Sequence, residues 1–378
     1  MRTKLTLAAL SLSLLAALTG AAATSLEKAE EPRPLVQIAI LLDTSGSMEG
    51  LIEQTKGQLW KIVNEFIRAR QNGRSPEVHV ALFEYGKNSL ARSEGYLRMI
   101  QPLTHDLDRI SEDLFALKTN GGEEYCGWVI REAVTRLAWS QSPEVYRAIF
   151  IAGNEPFTQG PVKYADSCRA AIAKGIVINT VHCGDEATGI HTKWQDGALL
   201  ADGKYMIIDQ NHAVVHFEAP QDKEITRLSE ELNKTYVAYG AAGHESAARQ
   251  VAQDVNATSF ASAGAAVSRA VTKASANYRN ANWDLVDAVN DGTRKLSEMK
   301  TDELPVEMQA MTDVERKTYV ETKTRQRAEI QSRIKELNDE RNRYVAAQVK
   351  NHAATNTLDA VMISVVRQQA ASRNYRFE

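Results

Sequence analysis

The sequence predicts an α/β protein: a doubly wound, mostly parallel sheet, followed by an all-helical C-terminal region with a long coiled-coil-like helix. Three observations carry this. Between Leu35 and Gly240, short apolar runs alternate with amphipathic segments, the pattern of a parallel sheet covered on both sides. After Gly240 the strand-like runs stop, and residues 245 to 290 are rich in alanine. From Thr312 to Asn351 the chain is dense in Glu, Lys, Arg and Gln, with apolar residues at Ile330, Ile334, Leu337, Tyr344 and Val345. That spacing suits a long helix with an imperfect seam, because Arg341 and Gln348 fall on the next seam positions.

Met1 to Lys4 is basic, Leu5 to Leu18 is apolar, and Ala21-Ala22-Ala23 offers small residues for cleavage. This reads as a secretory signal peptide over residues 1–23, because the apolar run is too short to span a membrane. Residues 24–34 are charged and carry two prolines, and read as a linker. The mature protein is expected in a bacterial periplasm, or else outside the cell. A length of 378 residues suits two domains, placed at 35–240 and 241–378, and a net charge of −3 gives no nucleic-acid footprint.

Val36 to Leu42 is a seven-residue, mostly apolar run without helical period, the signature of a strand buried on both faces. A long helix follows, with Leu51, Ile52, Leu59, Ile62, Val63, Phe66 and Ile67 on one face. Further strands are expected at Glu77–Phe83, Tyr96–Ile100, Tyr146–Ala152, Gly175–His182 and Lys204–Asp209. Helices fall around Leu107–Leu114, Val129–Leu137, Tyr164–Lys174 and Ile225–Leu232, and Trp283 belongs to a helical patch. Leu358, Val361, Met362, Val365 and Val366 make a last apolar stripe, expected to fold back on the long helix as a hairpin or to pair with a second copy.

The first strand ends in Asp43-Thr44-Ser45-Gly46-Ser47, just before its helix. One carboxylate and two hydroxyls at a strand tip are hard oxygen donors, suited to Mg²⁺ or Mn²⁺, with Ca²⁺ also acceptable. In that context the motif resembles the metal-ion-dependent adhesion site (MIDAS) of von Willebrand factor A domains (VWA domains). The resemblance implies two more metal loops. In the second, Glu124, or Glu123 beside it, stands where the family often has threonine. In the third, Gly153 stands in the slot of the usual aspartate, with Asn154 and Glu155 as stand-ins. The resemblance further implies a binding module rather than an enzyme, in which the cation completes its shell with an acidic group of a protein partner. Two other readings compete: a structural envelope protein with an inactive metal site acting through its helices, and an envelope hydrolase. In the first of these Asp43 and the serines merely cap the following helix.

Cys126, Cys168 and Cys183 are an odd count in an exported chain, so one disulfide at most is expected among them, with one thiol left over. Cys126 and His182, both near the strand tips, offer a nucleophile and a base, but cysteines in an exported chain are more often structural. His212 and His216, four apart in an apolar stretch, read as packing residues. Self-association through the C-terminal helices is a further expectation.

Overall fold

The computed structural model describes residues 33–208, 217–259, 264–350 and 358–377. The first part of the chain runs β1 (Leu35–Asp43), α1 (Glu49–Ile67), β2 (Ala69–Arg70), β3 (Glu77–Tyr85), β4 (Leu97–Thr104), α2 (Leu107–Ala116) and α3 (Cys126–Arg136). Then come β5 (Tyr146–Gly153), α4 (Tyr164–Ala173), β6 (Val177–Cys183), α5 (Glu186–His191), α6 (Trp194–Leu199), β7 (Tyr205–Ile208) and α7 (Asp222–Asn233). The remainder is α8 (Gly243–Ser259), α9 (Gly264–Lys273), α10 (Leu285–Asn290), α11 (Val306–Gln309), α12 (Asp313–Lys350), α13 (Leu358–Ala371) and β8 (Arg376–Phe377).

One sheet holds six strands in the order β4-β3-β1-β5-β6-β7. All neighbours are parallel except β3 and β4. This is the doubly wound order, and its switch point lies between β1 and β5. β1 lacks a helical or alternating pattern because both of its faces are covered. Val36, Ile38, Ile40 and Leu42 point to a core shared with Leu59, Ile62, Val63 and Phe66 of α1 and with Leu107 and Ile110 of α2. Ala39 and Leu41 face the opposite core, with Val129 and Ile130 of α3 and Cys168 of α4. Each such Leu, Ile or Phe contributes roughly 1.5–3 kcal/mol by burial, so register slips that turn them outward are strongly disfavoured.

The strand expected over Tyr96–Ile100 extends to Thr104 and runs antiparallel at the sheet edge. The six-residue helices α5 and α6 were not legible, being too short for a periodic stripe. Trp283 is buried, just before α10.

The main sheet ends with β7 at Ile208, α7 follows before the change of composition at Gly240, and packing crosses that point. Arg269 of α9 reaches Asp108 of α2 at 2.6 Å, and Arg249 of α8 reaches Glu112 at 2.9 Å. β8 pairs antiparallel with β2. Met362, Val365, Val366, Ala370 and Tyr375 join the same core as α1 and β1. The hairpin expectation is therefore corrected: the described part of the last apolar stripe is buried on the sheet side of α1, which offers a larger apolar surface than α12. The long helix is present, spanning 38 residues. Its Ile334 and Leu337 close on Ile225, Leu228 and Leu232 of α7 and Val267 of α9. Arg341, the break in the seam, pairs with Asp222 at 2.6 Å. The signal-peptide stretch, most of the linker, His212 and His216 lie outside the described residues.

Candidate metal centre

Three loops meet over the switch point, where the segments leaving β1 and β5 turn to opposite faces of the sheet and leave a crevice at the strands' C-terminal ends. In the first, Asp43 is fully buried and its Oδ1 accepts the Ser45 backbone N–H at 2.7 Å. The Ser45 and Ser47 hydroxyl oxygens stand 3.3 Å apart. The second loop is sewn to the first by the Asn120 N–H, which donates to the Thr44 carbonyl at 2.9 Å. It approaches the tip of β3 so closely that a Cβ on Gly122 would lie 2.4 Å from the Gly86 carbonyl oxygen. That approach brings Glu124 inward and buries it. A Cβ on Gly86 would lie 2.8 Å from both Asp43 Oδ1 and Glu124 Cγ, so the two carboxylates flank one point. Glu123 is exposed instead, and accepts a hydrogen bond from the Tyr125 hydroxyl.

In the third loop, Asn154 Nδ2 donates to Ser47 Oγ at 3.1 Å. Glu155 accepts from Gln159 Nε2 at 3.3 Å, while Gln159 Oε1 takes the Glu124 N–H at 3.0 Å. Gln159 therefore ties the second and third loops, a role not visible without their juxtaposition. The family's aspartate slot has no room for a side chain here. A Cβ on Gly153 would meet the Tyr85 hydroxyl at 2.6 Å and Asp43 Oδ2 at 3.0 Å, because Tyr85 crosses the space to donate to the Ala152 carbonyl.

Whether these residues fit a cation is tested by what they leave unsatisfied. Asp43 Oδ2 and Asn154 Oδ1 are buried oxygen acceptors without a hydrogen-bond partner among the described residues. Buried acceptors normally have partners, and each exception calls for an explanation. Burial pushes the Asp43 carboxyl up to about 7, against the hydrogen bonds from Ser45. Burial and then the charges of Asp43 and Glu155 push Glu124 up to about 8. Two desolvated carboxylates, two hydroxyls and an amide oxygen, all hard donors, fit a divalent ion. α1 begins at Glu49 with Met48 in the cap position and no side-chain cap bond, while Asp43 accepts from Ser45 and the Ser47 hydroxyl stands between Ser45 and Asn154.

The three cysteines are free thiols and all buried, so the expected bridge is not formed. Cys183 lies on the core face opposite to Cys126 and Cys168, with the sheet between them. Cys126 donates to the Tyr85 hydroxyl at 3.7 Å, and burial pushes its thiol well above the usual range. His182 packs on Trp194, with both ring nitrogens unpartnered among the described residues. These are not the contacts of a nucleophile–base pair.

The strand order and the Asp-x-Ser-x-Ser loop at its switch point are those of a von Willebrand factor A fold. No family model and no curated protein matches the chain in sequence. Among solved structures it is similar to BatB from Bacteroides thetaiotaomicron, with 17% identity over 46% of this chain and 90% of that one, at a TM-score of 0.35. It is similar also to the SpRpn10 VWA domain, at 16% identity over 48% of this chain and 100% of that one, TM-score 0.35. A third is proximal thread matrix protein 1 from the mussel byssus, with a zinc-occupied MIDAS motif, at 14% identity over 46% and 42% of the two chains, TM-score 0.34. At such values the fold rests on the topology itself.

Proposed function

We propose that this chain is an exported A-domain binding module. A divalent cation, Mg²⁺ or Mn²⁺, is held by Asp43, Ser45, Ser47 and Glu124, with Asn154 and Glu155 completing the third loop and Glu123 outside the shell. The observation that carries this is the pair of unpartnered buried oxygens, Asp43 Oδ2 and Asn154 Oδ1, beside two hydroxyls and a second buried carboxylate. Three of these six donors, Ser45, Ser47 and Asn154, are neutral, and the bound ion completes its shell with one more carboxylate, which an acidic group of a protein partner supplies. The chain's own residues bind, orient and desolvate the ion, and partner capture is the output rather than a reaction.

The periplasmic address rests on the N-terminal sequence pattern; among the described residues no helix is long and apolar enough to cross a membrane. Calorimetry of the full chain with Mg²⁺ and Mn²⁺ tests the site. Saturable one-to-one binding, weakened at least tenfold in Asp43→Ala, is expected. Equal binding by wild type and variant would overturn the reading.

A further inference from the structure

At the other end of the sheet, Glu77, His79 and His105 bring a carboxylate and two imidazoles together, with their ligand atoms all within 4.8 Å of one another. The chain's geometry explains the meeting. Glu77 and His79 are two apart on β3 and so share a face of the strand. β4 returns antiparallel with Thr104 opposite Val80, which sets His105, the next residue, beside the start of β3. His79 Nε2 and Glu77 Oε1 are 2.6 Å apart, and the rings of His79 and His105 are 5.9 Å apart between centroids.

We propose that Glu77, His79 and His105 form a second cation site, which takes Zn²⁺ or a similar borderline transition ion and is separate from the oxygen site at Asp43. Two imidazoles and one carboxylate, with a fourth position left to water, are the donor set of open zinc centres. On a tetrahedral zinc ion the ligand atoms stand about 3.3 Å apart. The present separations, at most 4.8 Å, have to close by no more than about 1.5 Å to reach that value. The Glu77 and His79 side chains are 41% and 24% exposed and His105 is exposed, so an ion has a path in.

The surroundings favour nitrogen-bound over oxygen-bound ions. Arg33 and Arg279 line the same cleft. Arg33 is held by the Ser75, Pro76 and Ala276 carbonyls, and Arg279 by Asp291 at 3.4 Å. Their charge penalises a hard ion held by electrostatics more than one bound through neutral imidazoles. The two sites are also independent. Glu77 pairs with Leu35 and Tyr85 with Asp43 in the β1–β3 register, which puts them about 26 Å apart at the usual strand rise.

The test uses the full chain and its Asp43→Ala variant, in which the oxygen site is disabled. Both are titrated with Co²⁺, whose visible absorption is strong only in four-coordinate sites, and then with competing Zn²⁺. One equivalent of intensely coloured complex, displaced by Zn²⁺, is expected in wild type and Asp43→Ala alike. His79→Ala and His105→Ala should each weaken it at least tenfold. His105→Gln, at an exposed position, keeps the test decisive if His79→Ala disturbs folding by circular dichroism. The absence of a saturable signal in wild type would overturn the proposal, as would a signal that survives both histidine substitutions or disappears in Asp43→Ala.

Discussion

Between α2 and the helices after Gly240, the chain buries Asp108, Arg269 and Lys273, with Asp254 at their edge, and every charge there has a partner. Arg269 reaches Asp108 and Asp254 at 2.6 Å each, and Lys273 reaches Asp254 at 2.7 Å. Arg327 likewise joins Asp284 at 2.7 Å and Asp287 at 2.8 Å. At the switch-point crevice, Asp43 and Glu124 are buried beside one another with no ion pair among the described residues. Breaking a buried pair usually costs about 3–5 kcal/mol. On the function proposed above, a fold that compensates its charges in one place and leaves two carboxylates uncompensated in another keeps the second place for a charge from outside.

The contrast breaks most visibly if the chain is cut. Ending it at Gly240 removes Arg269 from Asp108, and Val365 and Val366 from the core they share with α1. The fragment 35–240 is expected to lose its cooperative urea transition, by circular dichroism, while the full chain keeps one. A cooperative fragment of near-native stability would show that the paired region serves the helices alone.

A smaller cut is Arg269→Met. It leaves Asp108 and the side of Asp254 without their cation, and should lower urea stability by about 3–5 kcal/mol; a loss under about 1 kcal/mol would remove the contrast. The same charge sets an acid limit. Burial alone would raise the Asp254 carboxyl, but Arg269 and then Lys273 outweigh it and hold it below its ordinary value. A carboxyl lowered in the folded state binds protons more readily when unfolded. Its stabilisation is complete above about pH 4 and is lost as pH falls through the folded value. Urea midpoints measured downward from pH 5 should therefore fall more steeply in wild type than in Asp254→Asn.

What the sequence revealed depended on whether a signal was local. β1, α1 and the Asp43 loop are contiguous, and their period and donors are written side by side. Glu124 and Asn154 were reached only through the spacing of a resembled family, and the choice between Glu123 and Glu124 needed the loop's close approach to Gly86. The reason for Gly153 was hidden, because it lies in the Tyr85 hydroxyl from another strand. Glu77 and His79 are adjacent on a strand, yet His105 joins them only through the antiparallel turn of β4. The apolar stripe at Met362–Val366 was legible as a stripe, whereas its partner was not, since period states which face is buried and not against what.

The smallest expected change in the metal-free protein is also the one whose sign matters. Asp43→Asn keeps the shape and the acceptor for the Ser45 N–H, and removes a buried charge that has no cation. In the presence of a chelator its stability should equal or exceed that of wild type, by up to about 1 kcal/mol, since an uncharged amide is cheaper to bury. Excess Mg²⁺ should reverse the order. Wild type gains about 2.7 kcal/mol at a hundredfold excess over the dissociation constant, and the variant gains little. Urea titrations of both proteins, with chelator and with Mg²⁺, read this inversion directly. If Asp43→Asn instead weakens the metal-free protein as severely as Arg269→Met, then Asp43 is held by the protein after all. The uncompensated carboxylates would then be part of the scaffold rather than a seat for an ion.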